Sequence, residues 1–143
     1  MPYEYLPEGV TSDVTLRATG PDLDALFTAA ADATANLMVR NLDAVAPDVS
    51  IPVTVSAETL DLLLLRFLEE LVFHKDAERL LLRATEVRVE RDRRGYRARA
   101  TLVGETIDPA KHELEADVKA VTLHGLTVHR IGAEWQAEVT LDV

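Results

Sequence analysis

An α+β fold, with two helices packed on one face of a largely antiparallel sheet as a two-layer sandwich, is predicted by three features of this sequence. Two segments carry apolar residues at three- and four-residue steps, and several others alternate apolar with polar residues. Their order is strand, helix, short strand, helix and then a run of strands. Strands that follow one another through short turns pair antiparallel, because a parallel pair needs a long crossover.

The first strand is "SDVTLRATG", with Val14, Leu16 and Ala18 inward and Asp13, Thr15, Arg17 and Thr19 outward. Gly20 and Pro21 punctuate it. Leu23, Leu26, Phe27, Ala30, Leu37 and Met38 then fall at helical spacing in an alanine-rich stretch, predicting a helix over 22–40. "SIPVTVS" reads as a short strand. A second helix is expected with Ser56 as its N-cap and Glu58 in the first turn. Its stripe of Leu60, Leu63, Leu64, Phe67, Leu68, Leu71 and Val72 leaves Asp61, Arg66, Glu69 and Glu70 on the other face, so it covers a core. "TEVRVERDRRGYRARATLV" turns through "DRRG" and reads as a hairpin, with Tyr96, Ala98, Ala100 and Leu102 on one face. "VKAVTLHGLTVHRIG" and "EWQAEVTLDV" make a second meander. In its last strand Trp135, Ala137, Val139, Leu141 and Val143 share one face, and Glu134, Gln136, Glu138, Thr140 and Asp142 the other.

At 143 residues with 48% hydrophobic content, the chain is expected to form one domain over 1–143. No apolar run is long enough to span a bilayer and no signal-peptide pattern opens the sequence, so a cytoplasmic protein without membrane contact is expected. The absence of cysteine leaves only oxygen and imidazole as metal ligands. A formal net charge of -10 argues against non-specific nucleic-acid binding by the whole surface. If the first and last strands are antiparallel neighbours, Asp13 approaches Asp142 and the carboxylate of Val143.

Four segments, "YEYLPEGVTSDVTLRATG", "RFLEELVFHKDAERL", "GETIDPAKHELEADVKAVTLHGLTV" and the closing "EVTLDV", together resemble the archease family, proteins that assist the RNA ligase that rejoins tRNA halves in splicing. The resemblance implies a small α+β protein that binds a divalent cation, typically calcium, with magnesium or manganese also suited to its oxygen donors. Its ligands are an aspartate in an N-terminal His-Thr-Ala-Asp segment, a penultimate aspartate and the C-terminal residue. Carried over by motif, these are Asp13, Asp142 and Val143. The chain has Val10 where that segment opens with histidine, and Ser12 in place of its alanine. Phe67 and Leu123 stand where the family often has aromatic residues, tryptophan in the first case. Lys119 and His124 in "VKAVTLH" are, by the same resemblance, candidates for contact with a partner or nucleotide.

Other groups have plainer readings beside the functional one. Lys119 and His124 lie five apart and face opposite sides of a regular strand, and His124 beside Gly125 also suits a turn or bulge. His74 suits a helix end, and His112 with Asp108 can be drawn as an acid/base pair in a polar loop. Arg88, Arg91, Arg93, Arg94, Arg97 and Arg99 gather on one hairpin, suited either to phosphate or to solvent, with Glu86, Glu90 and Asp92 to offset them. No phosphate loop, nucleophile elbow or zinc-ligand spacing is present. The expectation is therefore a non-catalytic, metal-binding accessory protein. It activates a tRNA-splicing RNA ligase by promoting its guanylylation, and meets RNA indirectly through that ligase. The rivals are a small metal-dependent hydrolase or phosphoryl-transfer enzyme with His112 or His124 as base, and a chaperone-like module for nucleic-acid enzymes.

Overall fold

The computed structural model describes residues 2–7 and 12–143, so Val10, which replaces the family histidine, lies outside the described residues. The elements in chain order are β1 (Tyr3–Leu6), β2 (Asp13–Gly20), α1 (Leu23–Met38), a 3-10 turn (Leu42–Ala44), β3 (Val49–Ala57), α2 (Leu60–Glu78), β4 (Leu80–Asp92), β5 (Gly95–Thr106), β6 (Ala120–Ile131) and β7 (Glu134–Asp142).

Local chemistry sets most boundaries. The Asp22 carboxylate accepts from the Ala25 N–H at 2.8 Å and caps α1, relieving one of the donors a helix start leaves free. The helix ends when Val39 turns extended and bridges to Leu114. α2 follows Thr59, an extended residue whose hydroxyl donates to the Asp61 carboxylate rather than capping a helix N–H. It is closed by Arg79 in the left-handed conformation (φ 55°), whose N–H returns to the carbonyls of His74 and Lys75. The expected start at Ser56 is corrected: Ser56 lies inside β3 opposite Arg97, and the acid of the first turn is Asp61 rather than Glu58. Here the cap signal lost to strand pairing, because the β-branched run Val53, Thr54, Val55 continues the ladder with β5 as far as Ala57.

All strand pairs are antiparallel, and the class is α+β as predicted. The strands divide into two sheets, β1-β2-β7-β6 and β3-β5-β4, rather than forming one. Each helix packs on both: α1 meets β2 and β4, and α2 meets β6, β3 and β4. α1 is why. Leu26, Phe27, Ala29, Ala30, Ala31, Ala33, Ala35 and Met38 are all buried, so this helix is enclosed nearly all round, and its small alanines let neighbours approach from several sides. Phe27 meets Phe67 of α2 with ring centroids 5.7 Å apart, at the centre of a core closed by Leu16, Leu102, Val139 and Leu141.

No described helix is long and apolar enough to cross a membrane.

Candidate metal centre and neighbouring polar groups

β2 and β7 are the two central strands of the four-stranded sheet, and their register places Asp13 opposite Asp142. The next pair outward, Ser12 and Val143, is joined by the Val143 N–H donating to the Ser12 carbonyl at 2.9 Å. Hydrogen-bonded and non-bonded pairs alternate along an antiparallel ladder, so Asp13 and Asp142 form a non-bonded pair, the kind in which side chains lie closest. On its other side the Asp142 carbonyl accepts from the Lys119 N–H at 2.7 Å, and β6 begins at once with Ala120 paired to Asp142.

The side chains alternate as expected. Val14, Leu16 and Ala18 face Leu141, Val139 and Ala137 on the core side, which leaves Asp13 and Asp142 on the outer face. Thr15 and Thr140, also on that face, are nonetheless buried, with their hydroxyls 2.8 Å apart. They form a closed polar floor beside the aspartates. One row further, Arg17 is held between Glu4 at 3.2 Å and Glu138 at 2.9 Å.

Asp13 and Asp142 are half-buried, and neither side chain forms an ion pair among the described residues. Like charges directly across a ladder cost stability, so this end of the sheet carries uncompensated repulsion. The side-chain donors at this seam are the two aspartate carboxylates. Both are hard oxygen donors, which fit calcium, magnesium or manganese and suit soft metals poorly. Among the described residues no three His, Asp or Glu side chains converge within metal-binding reach.

Lys119 and His124 do not share a regular strand. Lys119 precedes β6, and His124 lies where the β6 register shifts between Thr122 and Thr127, next to Gly125 at φ 65°. Both are exposed, and this irregular stretch lifts Leu123 into solvent (65% exposed). The histidine is therefore a bulge residue on an edge strand.

His112 is buried at 3% exposure. Its Nδ1 accepts from the Asp108 N–H at 2.9 Å, so the proton sits on Nε2, which faces the Glu105 carboxylate at 2.9 Å. Asp108 contributes its backbone, not its carboxylate, to this histidine; the carboxylate caps Ala110 instead. Both ring nitrogens are committed to holding the loop. His74 pairs with Glu78 one helical turn on.

Sequence reasoning missed one polar group at this end. Lys75 of α2, 8% exposed, bonds Asp117 at 2.6 Å and also Asp76. It lines an open cleft of about 400 Å³ with Met38, Leu81, Ile107 and Leu114. The signal was there: Lys75 continues the Leu64–Leu68–Leu71 stripe, a position where a charge is out of place.

Comparison with known proteins follows the same lines. The archease protein family model matches residues 3–143. The archease of Pyrococcus abyssi is 36% identical over 134 residues, covering 93% of this chain and 94% of the relative. That of Methanopyrus kandleri is 32% identical over the full length of both. A Methanobacterium thermoautotrophicum protein solved in solution superposes with a TM-score of 0.85 at 30% identity, over 99% of each chain. A Thermotoga maritima crystal structure, described as an archease and possible chaperone, shares the fold with a TM-score of 0.61 at 16% identity, over 96% of each chain.

Proposed function

Since the chain belongs to the archease family, we propose that it is a non-catalytic accessory protein that activates a tRNA-splicing RNA ligase through a cation held between its terminal strands. The observation that carries this reading is the register that sets Asp13 against Asp142, beside Val143, with no basic side chain to neutralise them among the described residues. In the proposal, Asp13, Asp142 and the Val143 carboxylate hold a hard divalent cation, calcium first. The cation supplies a fixed positive charge at the contact surface. Lys119, tied to Asp142 through its backbone N–H, adds an ammonium that can meet a nucleotide phosphate or an acidic ligase residue. His124 lies further along the exposed edge strand and offers a second contact. The partner step is transfer of GMP from GTP to a histidine of the ligase, which this protein promotes by binding and positioning. "Possible chaperone", said of the Thermotoga relative, belongs to the same accessory class.

The rival enzymatic reading weakens at His112, whose lone pair and N–H are both engaged within the fold, leaving no free base. Ligase guanylylation is the test. Wild type is expected to stimulate it, and Asp13→Ala and Asp142→Ala to lose most of the stimulation while keeping their circular dichroism. Equal stimulation by both folded variants defeats the proposal. Adding one residue after Val143 is expected to weaken cation binding in calorimetry, and an unchanged affinity removes the Val143 carboxylate from the ligand set.

A further inference from the structure

We propose that the outward face of β5, with its neighbours on β3 and β4, binds the phosphodiester backbone of a single-stranded nucleic acid. The inference is independent of the cation site. Asp24, in the first turn of α1, accepts from the Val89 N–H at 2.8 Å and lies 3.9 Å from Arg88, which puts the hairpin at the Gly20 end of β2. Asp13 is at the other end of that eight-residue strand, about 25 Å away along its axis.

The register defines the face. Ala98, Ala100 and Leu102 are buried, so Arg97 and Arg99 point outward, and Arg88 stands directly across from Arg99. Two arginines opposite one another repel, and each of these already faces an acid, Arg88 with Asp24 at 3.9 Å and Arg99 with Glu90. The available acids do not suffice. Glu90, the cross-strand neighbour of Arg97, bonds Arg99 instead. Arg97 is left with no carboxylate among the described residues, and its Nε is enclosed without an acceptor. Arg93 and Arg94 at the turn are exposed and likewise make no ion pair among the described residues.

Composition sharpens the picture. Residues 86–99 hold six of the chain's 15 basic residues and three of its 25 acidic ones, a positive hairpin on a protein of net charge -10. Every cation in it is arginine, whose planar fork matches phosphate oxygens. The remaining surface repels a polyanion and so confines it here. The face carries no aromatic ring for base stacking, since Tyr96 shares the inward side with Ala98 and lies under Arg91 at 5.9 Å. Contact is therefore with phosphates and independent of sequence.

Fluorescence anisotropy of a labelled single-stranded RNA and of a DNA of the same sequence, with the full chain and no divalent cation, tests this. Both are expected to bind at low salt, with affinity falling linearly on a log–log plot against salt. R88Q/R97Q/R99Q should weaken binding tenfold or more and reduce the salt slope by about 2. R93Q/R94Q, at an exposed turn with no packing to lose, should weaken it in the same direction. No binding of wild type at the lowest salt overturns the proposal. So does unchanged affinity and slope in folded variants, or tighter binding of a polyglutamate peptide than of either strand.

Discussion

Lys75 occupies a position that the apolar stripe of α2 would give to a hydrophobic side chain. Burial alone would lower its ammonium, but the bonds from Asp117 and Asp76 outweigh that and raise it. Both partners are exposed and keep their water when the lysine is gone, so the pair adds little beyond the packing of its stem. Lys75→Met should stay within about 1 kcal/mol of wild type in urea denaturation, whereas Lys75→Ala should lose about 2 kcal/mol. A larger loss in the methionine variant would mean that the ion pair itself holds the cleft. Glu105 behaves differently. The Lys111 ammonium, the Ala46 N–H and His112 hold its carboxyl at about 2, below the ordinary 4.5. A depressed folded value gives stability that is full above pH 4.5 and is lost as pH falls toward 2. The melting-temperature advantage of wild type over Glu105→Gln should be constant above that window and shrink through it. The stripe marks Lys75 as out of place, but its partner Asp117 was not legible, nor was the approach of Ala46 to Glu105, because each contact joins residues far apart in sequence. The approach of Asp13 to Asp142 was legible on the condition that the first and last strands are antiparallel neighbours, a condition the β2–β7 ladder meets.

Among the elements, those with a long period were readable and those decided by pairing were not. The stripes of α1 and α2 and the alternation of β2, β5 and β7 are properties of one segment. β1 is four residues between Pro2 and Pro7, too short to show a period, and exists because it pairs with β2 while Tyr5 donates to the Ala33 carbonyl at 2.6 Å. The break in β4 between Thr85 and Arg88, with Glu86 at φ 52°, also follows from how the partner strand runs. The division into two sheets was written only indirectly, in the small residues of α1. Gly104 of β5 shows how close such contacts become: a Cβ there would sit 1.7 Å from the Leu81 carbonyl oxygen, backbone that cannot swing aside. Gly104→Ala is expected to cost about 3 kcal/mol or more by denaturation, breaking the β4–β5 pairing locally. A near-neutral result would show that this ladder yields more easily than its packing implies.

On the scale of the molecule, the first sheet closes only when β7, the last strand in sequence, enters between β2 and β6. The β2–β7 ladder joins residues more than a hundred positions apart, a costly loop closure that local propensity cannot offset. Placing two like-charged side chains at the end of that ladder adds a further cost, which a cation shared between them would remove. Stability and cation binding are then linked in a way that needs no ligase to observe. A cation that binds only the native seam raises stability by about 2.7 kcal/mol when present at a hundred times its dissociation constant. Each kcal/mol moves the melting temperature by about 3 °C in a domain of this size. Calcium is therefore expected to raise the midpoint of wild type in a concentration-dependent manner, and a chelator to reverse it. Asp13→Asn with Asp142→Asn should abolish the calcium response. Without cation the same double variant should melt at or above wild type, since relieving the repulsion contributes about 0.5 kcal/mol. The two signs together discriminate: a structural role for the aspartates predicts a loss of stability in the variant with or without calcium. A shared cation predicts a loss only when calcium is present.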